Sequence, residues 1–421
     1  MGSLKQHLLR TVGFALIPAF SFMIALLILP LISAKYGANG WTAVALGQSS
    51  GAIASVAVGL TWPIIGGNLI ARAAFEDKIE IYVRSVFSRL LVFAFAATVG
   101  AIVGALLAPQ YRVEAALFAV AVSMNGLSAA WYYSGTGRPL PLLLNEGVVR
   151  FAGYALAFVG MLLGAGILWY AISNVLAAIA MFLLNWRTIV RKLRPASFWE
   201  RLKDAKRTLV SQLFGTTAAV VQALYYFGGP SLFAILAPTH LAAFSGADQL
   251  QKSVGNGLGA LPTAFVSWVG SASAGNRFRR ILTATAFMLI TAFGVFVAIA
   301  VAGQQVLDFI FSGHLVLHST DLLILAGALS GTFLVKAVEL LVLVPLGRHQ
   351  IVYEGTLGTS LLGLVLFIIL VPAWGLTGGL AVPLIGAGVL SIYYASAIRW
   401  RKPSPATTGG TKATPKITEL L

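Results

Sequence analysis

Two pairs of opposite charges stand at helical spacing inside otherwise apolar sequence. Asp248 and Lys252 lie four residues apart in FSGADQLQKSVGNGLGALP (244–262), and Lys336 and Glu339 three apart in GTFLVKAVELLVLV (331–344). Residues three or four apart share a helix face, so each pair can neutralise itself. Lysines so placed suit phosphate as point charges, and carboxylates within apolar helices take up protons or cations. Gln251, Gly255 and Gly259 extend the face of the first pair, with Gln249 and Asn256 at its flanks. Glycines on that stripe either admit a neighbouring helix or widen a cavity. An earlier stretch offers Gln48, Ser55 and Trp62 at helical spacing, closed by Asn68 and Arg72. Gln48 is expected to face a cavity and Trp62 to pack. Arg72 reads equally as a cavity cation or as an anchor at the membrane interface. Glu146 and Arg150, four apart near a helix end, read as a surface pair.

Other chemistries lack their residues. Zero cysteines remove disulfides, thiolate metal sites and thiol nucleophiles. There is no GxxxxGK[ST] loop for nucleotide phosphates and no G-x-S-x-G elbow. His314, His318 and Asp321 have helical spacing, yet they fall in a segment expected to be a solvent-facing loop without further ligands. No metal and no cofactor is expected.

The elements that position these residues follow from composition. The chain has 421 residues, 58% hydrophobic and 10% charged, against about 25% charged in soluble domains. Apolar runs of about 20 residues instead read as membrane-spanning helices. Twelve are expected: Thr11–Ala34, Thr42–Ala71, Arg84–Ala108, Val113–Ser134, Asn145–Leu163, Gly166–Trp186, Leu209–Leu236, His240–Ser271, Ile281–Gly303, Asp321–Leu346, Tyr353–Pro372 and Leu376–Arg399. The connections are short; the longest on the outer side is Gln304–Thr320. A charge at the bilayer centre costs about 2.5–3.5 kcal/mol on insertion scales, so the four charged residues at 248, 252, 336 and 339 are expected to face the interior.

Lysines and arginines alternate strongly between the two sides. Lys5, Arg10, Arg72, Lys78, Arg84, Arg89, Arg138, Arg150, the run from Arg187 to Arg207 and Arg277–Arg280 fall with the N-terminus, while Lys35 and Arg112 fall opposite. This distribution predicts a multi-pass protein with both termini in the cytoplasm. It also assigns the net charge of +16 to orientation and anionic lipid rather than to nucleic acid.

The basic stretch RTIVRKLRPASFWERLKDAKR (187–207) divides the chain into six spans and six. The expected organisation is an N-terminal six-helix lobe (1–190), a basic cytoplasmic linker (191–207), a C-terminal six-helix lobe (208–400) and a cytoplasmic tail (401–421) of disorder-like composition. An even number of spans per lobe makes any repeat parallel. A shift of 199 residues matches Ala43 to Ala242, Gly47 to Gly246 and Pro63 to Pro262; a shift of 210 matches Gly137-Arg138 to Gly347-Arg348. The first shift sets Asp248 on Ser49 and Lys252 on Ile53, so the charged pair belongs to one half alone.

LILPLISAKYGANGWTAVALGQSSGAIA (27–54), APTHLAAFSGADQLQKSVGNGLGALPTAF (237–265), and the closing stretch with its Pro-Leu-Gly-Arg turn (345–348) and WGLTGGLAV (374–382) carry a family resemblance. In order and spacing the chain resembles the polysaccharide and lipid-linked oligosaccharide flippases of the multidrug/oligosaccharidyl-lipid/polysaccharide exporter superfamily. The resemblance implies an all-α fold of about twelve transmembrane helices, in two lobes around a central cavity. It implies alternating access that carries a lipid-diphosphate-linked oligosaccharide from the cytoplasmic to the outer leaflet of the plasma membrane, for cell-surface polysaccharide synthesis. Lys252, Lys336 and Arg72 would meet the diphosphate, and Gln48, Gln249, Gln251 and Asn256 the sugar hydroxyls. Asp248 and Glu339 would neutralise the lysines or couple an ion. Implied partners are the lipid-linked glycan, membrane lipids, and glycan polymerases or glycosyltransferases, with no nucleic acid. The competing readings are a cation-coupled drug or small-molecule exporter of the same superfamily and a non-transporting scaffold.

Overall fold

The computed structural model describes residues 2–190, 198–270, 274–313 and 315–400, and among them every regular element is helical. The first half contains α1 (Gly2–Gly59), α2 (Trp62–Arg72), α3 (Phe75–Leu107), α4 (Arg112–Ser123), α5 (Ala130–Thr136), α6 (Pro139–Leu142), α7 (Val149–Leu162) and α8 (Ile167–Ile189). The second contains α9 (Phe198–Phe227), α10 (Gly229–Leu236), α11 (Leu241–Leu258), α12 (Ala260–Gly270), α13 (Ala274–Phe311), α14 (Ser319–Val338) and α15 (His349–Trp400).

Eight helical spans among the described residues are long and apolar enough to cross a membrane, or nine with the bent pair α9–α10. Two of them are far longer than the hydrocarbon core of about 30 Å requires, and each contains one non-helical glycine. Gly37 (φ 60°) breaks α1 and Gly375 (φ 55°) breaks α15. Such φ values penalise any residue with a Cβ. The two legs of α15 lie side by side, since Arg348 Nη1 donates to Ala397 O at 2.9 Å and Tyr393 Oη to Glu354 Oε2 at 2.9 Å. With these two folded back and the more polar α11–α12 counted as a pass, the architecture is consistent with the twelve expected spans.

The structure moves several expected boundaries. The third span starts at Phe75 rather than Arg84. The ninth runs to Phe311, so the expected long outer loop shrinks to a short connection. Gln304 holds that connection by donating to Leu315 O and accepting from Leu317 N, each at 3.0 Å. The expected linker at 191–207 is helical from Phe198 onward as the start of α9, because its charged and apolar residues alternate at helical spacing. Its first part and the tail after residue 400 lie outside the described residues.

Broken helices recur at matching places in the two halves. The break between α1 and α2 at Leu60–Thr61 and the one between α11 and α12 at Gly259 differ by the same 199 residues as the sequence matches. After α5, Gly137 (φ 65°) is followed by Arg138 N donating to Tyr133 O at 2.9 Å; Gly347 (φ 73°) is followed by Arg348 N donating to Leu343 O at 3.0 Å. Both are glycine-terminated helix ends with a six-to-one bond, 210 residues apart.

Close packing inside the first half uses GQSSG (47–51). A Cβ at Gly47 would lie 2.5 Å from Ala115 O, and one at Gly51 2.6 Å from Ala119 O, so α1 and α4 touch backbone to backbone. That small-xxx-small spacing is the usual route to tight helix contact in lipid.

The buried apolar clusters show how the lobes meet. One cluster joins residues of both lobes, among them Ile32, Trp41, Tyr170, Phe244, Phe311 and Leu325. At the opposite end the core is split: Trp62, Tyr82 and Trp131 anchor one cluster in the first lobe, while Met288, Phe333 and Leu341 anchor another in the second. The lobes therefore share one apolar core at one end, while at the end that carries most lysines and arginines their cores are separate and α9 reaches across.

The glycine contacts give a paired test. Gly51→Ala is expected to lower the melting temperature in detergent, by an amount equivalent to about 1–3 kcal/mol of overpacking. Gly257→Ala, where an added Cβ meets nothing within 4 Å, is expected to be neutral or to gain roughly 0.5–1 kcal/mol of helix propensity.

Candidate functional site

A cavity of about 580 Å³ lies between the lobes, bounded by α1, α7 and α8 on one side and by α10 and α11 on the other. It adjoins a cavity of about 460 Å³ bounded by α11, α14 and α15. Asp248, Lys252 and Asn256 line both. The charged pair thus stands on the wall the two spaces share. Lys252 Nζ approaches Asp248 Oδ2 to 2.6 Å, with side-chain exposures of 18% and 17%. The ammonium also lies 5.6 Å from the ring centre of Tyr226 and 5.5 Å from that of Phe227, within cation–π range. Gln48 and Gln249 line the inter-lobe cavity, and Gln251 the adjoining one.

The glycine stripe widens this space and admits no neighbouring helix. Gly255 lines the second cavity, and a Cβ there would meet nothing within 4 Å. At Gly259 an added Cβ would approach only backbone oxygens of its own helix.

The second charged pair divides its roles. Lys336 lines the cavity with its side chain 60% exposed, while Glu339, 7% exposed, lines neither cavity. Glu339 opens a π-helical turn (Glu339–Leu343) and accepts from Lys336 Nζ at 3.0 Å and from Tyr394 Oη at 2.8 Å. Glu339 is interior as expected but does not face the cavity, because Tyr394 of α15 takes its carboxylate.

Arg72 is exposed at the last residue of α2 and lines neither cavity. Of its two readings, the geometry leaves the interfacial one. Trp62 is fully buried and stacks on Trp131 at 5.3 Å. Asp321 is buried and accepts from Thr377 Oγ1 at 2.6 Å, so it is no loop residue; no metal-binding group of side chains occurs among the described residues, and His314 lies outside them.

A cavity cation that the spacing rule assigned elsewhere is Arg150. Arg150 lines the inter-lobe cavity and donates from Nη2 to Asn125 Oδ1 at 2.9 Å. Among the described residues no carboxylate pairs with it. The expected partner, Glu146, lies in a π-helical turn (Leu143–Val148) and is committed elsewhere. Its carboxylate accepts from Ser128 Oγ at 2.7 Å and from Ala129 N and Asn185 Nδ2 at 2.9 Å each. Glu146 and Arg150 still border one small pocket, but these three donors take the carboxylate while Asn125 takes the guanidinium.

Arg150 is held by a break in the membrane. Between α4 and α5 the chain passes through a 3₁₀ turn (Met124–Leu127), freeing backbone groups that lipid could not satisfy. Arg89, fully buried, donates to Gly126 O at 3.1 Å and Ser128 O at 2.9 Å, and its guanidinium lies 5.6 Å from the centre of Trp131. Glu146 takes the freed N–H of Ala129. The break presents Asn125, and Asn125 orients Arg150. Arg89, expected with the cytoplasmic basic residues, is instead an interior brace.

The Asp248–Lys252 pair makes a double-mutant cycle informative. Lys252→Met and Asp248→Asn should each destabilise the protein, and the double variant should be more stable than their sum. The expected coupling is about 0.5–3 kcal/mol, read from unfolding in detergent.

No family model matches the chain, and no curated protein matches it. Solved structures do. The lipid II flippase MurJ in an inward closed conformation superposes with a TM-score of 0.64 at 13% identity, over 92% of this chain and 87% of that one. The eukaryotic MATE transporter AtDTX14 gives 0.55 at 16% identity over 96% and 97%, and an inward-facing multidrug resistance MATE transporter of the MOP superfamily 0.52 at 16% over 91% and 94%. At such identities the likeness is one of fold. This chain is an all-helical, multi-span membrane protein with the two-lobed fold that those transporters share.

Proposed function

We propose that this protein is a flippase that carries a lipid-linked oligosaccharide diphosphate from the cytoplasmic to the outer leaflet of the plasma membrane by alternating access. One observation carries the reading: Arg150 from the first lobe and Lys252 from the second face the same inter-lobe cavity. With Lys336 in the adjoining space, cations outnumber the single lining carboxylate, Asp248. Arg offers a planar fork for phosphate oxygens and Lys a point charge. The amides of Gln48, Gln249, Gln251 and Asn256 supply donors and acceptors for sugar hydroxyls. A large polar head group cannot cross hydrocarbon, and a cavity with such groups replaces its lost water.

The drug-exporter reading is less favoured. A cationic drug needs an uncompensated carboxylate, whereas Asp248 is held by Lys252 at 2.6 Å. The divided end of the molecule is the end rich in lysine and arginine, and the positive-inside rule places it in the cytoplasm. The cavity would then receive substrate from the inner leaflet. Transport-capable structural neighbours favour this reading over a scaffold or an enzyme.

Proteoliposomes containing a fluorescent polyprenyl-diphosphate oligosaccharide test the proposal. The wild-type protein should expose inner-leaflet label to an impermeant quencher. Arg150→Gln and Lys252→Gln should each slow this by about ten- to a hundred-fold, the worth of a charged hydrogen bond of about 1.5–3 kcal/mol. Cells depleted of the protein should accumulate the lipid-linked oligosaccharide in the inner leaflet. Unchanged flipping in both variants, or export of a cationic dye in place of the lipid, would overturn the reading.

A further inference from the structure

The C-terminal lobe contains a compartment that the charged residues do not explain. A cavity of about 320 Å³ lies among α9, α14 and both legs of α15, closed on one side by Val56 of the first lobe. It adjoins the lysine-bearing cavity through shared walls at Tyr225, Tyr226, Thr332 and Pro383. Its own lining carries no Asp, Glu, Lys or Arg. Several of its polar side chains are already committed. Thr332 Oγ1 donates to Ala328 O at 2.8 Å, and Ser360 Oγ to Thr356 O at 2.8 Å. Hydroxyls that bond back to their own helix have no donor left for a ligand. Alanines 219, 223 and 387, with Val335 and Leu390, make most of the remaining wall apolar, with Gln222, Thr356 and Thr359 among them.

Its shape is set by close contacts. A Cβ at Gly386 would sit 2.9 Å from Tyr225 Oη and 3.3 Å from Thr359 Cγ2. Glycine there gives the tyrosine ring its place along the wall. Tyr226 marks the boundary between the two spaces. It lines the apolar pocket, and its ring faces the Lys252 ammonium at 5.6 Å. Cations on one side of a tyrosine and hydrocarbon on the other match an amphiphilic anion, charged at one end and apolar immediately beyond.

We propose that this pocket takes the isoprenoid segment next to the diphosphate, with the phosphates at Lys252 and Lys336. The proposal rests on the flippase reading and adds to it. The first apolar carbons enter the C-terminal lobe, and the distal tail alone stays in the bilayer. An apolar chain attached to phosphates in a wet cavity would otherwise expose its first carbons to water, at the usual hydrophobic cost. A mainly apolar pocket beside the lysines reduces that exposure. It also distinguishes a lipid diphosphate from a free nucleotide sugar, which has the phosphates without the hydrocarbon.

The test uses the full-length protein in lipid nanodiscs and a farnesyl diphosphate carrying a diazirine on its first isoprene unit. Photolabel competed by unlabelled farnesyl diphosphate should map to residues 219–227 and 356–390. Ala219→Trp, which fills the pocket from a half-buried position, should reduce that label by roughly ten-fold, an effect of lost apolar burial. In the same variant, inorganic diphosphate should still protect Lys252 from an amine-reactive reagent as it does in the wild type. Competed label found only on other helices, with Lys252 still protected, would overturn the pocket and leave the head-group reading standing. No competed label together with no protection of Lys252 would overturn both. The labelling map is made on the wild-type protein, so it decides the matter even if the tryptophan variant fails to fold.

Discussion

A charge facing lipid tails costs about 2.5–3.5 kcal/mol on the mildest scales, and this penalty organises the interior of the protein. Each buried ion escapes it differently. Lys252 is neutralised one turn away by Asp248. Lys336 reaches open space while its partner Glu339 retreats to Tyr394. Arg89 has no carboxylate paired with it among the described residues and rests instead on main-chain oxygens at a broken helix. Arg150, held by one asparagine, faces the cavity. The first three arrangements are complete within the protein. The last leaves a cation on the inter-lobe cavity with no carboxylate bonded to it among the described residues, the feature on which the proposed head-group reading rests.

Irregular backbone is the means by which these solutions are built. The 3₁₀ turn at Met124–Leu127 supplies the carbonyls that hold Arg89 and the amide that holds Arg150. Two π turns, Leu143–Val148 and Glu339–Leu343, each carry a buried glutamate of their lobe into a hydrogen-bond network. Non-helical backbone survives at membrane depth where side chains satisfy it, and here Glu146 takes the freed Ala129 N–H. The same irregularity explains what could be read from sequence. Period, hydropathy and the placement of Lys and Arg reveal spans, and Gly137-Arg138 and Gly347-Arg348 mark equivalent helix ends. The Asp248–Lys252 pair follows from its spacing because α11 is a regular helix. Glu146 without Arg150, and Glu339 away from the cavity, do not follow from spacing, because spacing names a shared face and not the third group that takes each carboxylate. A π turn leaves no signature in composition. The commitment of Arg89 and the exposure of Arg72 depend on tertiary packing, which a hydropathy window does not contain.

The repeat adds a mechanical argument. Helices broken at Leu60–Thr61 and at Gly259 occupy the same register in the two halves, so each lobe has a weak point at the same height. Their surroundings differ. The first break is tied across the lobes by Thr61 N donating to Gln212 Oε1 at 3.2 Å, and about three turns earlier on α9 Arg201 bridges to Glu80 at 3.1 Å. The second opens beside Gly255 and Gly257, where added Cβ atoms would meet nothing within 4 Å. α9 therefore acts as a strut on one flank while the flank of α11 and α12 stays free.

On the flippase reading, the reverse conformation must split the core now shared at the fused end and join the cores now separate. Ser33 Oγ donating to Phe311 O at 2.7 Å, and the Trp41–Phe311 ring contact of 5.2 Å, would part. The apolar cluster around them would part as well, so burial gained at the divided end must offset that loss. Closure at the divided end needs two surfaces able to approach without side chains in the way. The glycines at 255 and 259 provide such a surface at the end of α11, one turn from Lys252. A lobe swing that brings this stripe against the first lobe would also shrink the space around the lysines. The feature that widens the cavity for a head group is thus the one that lets it close behind that group.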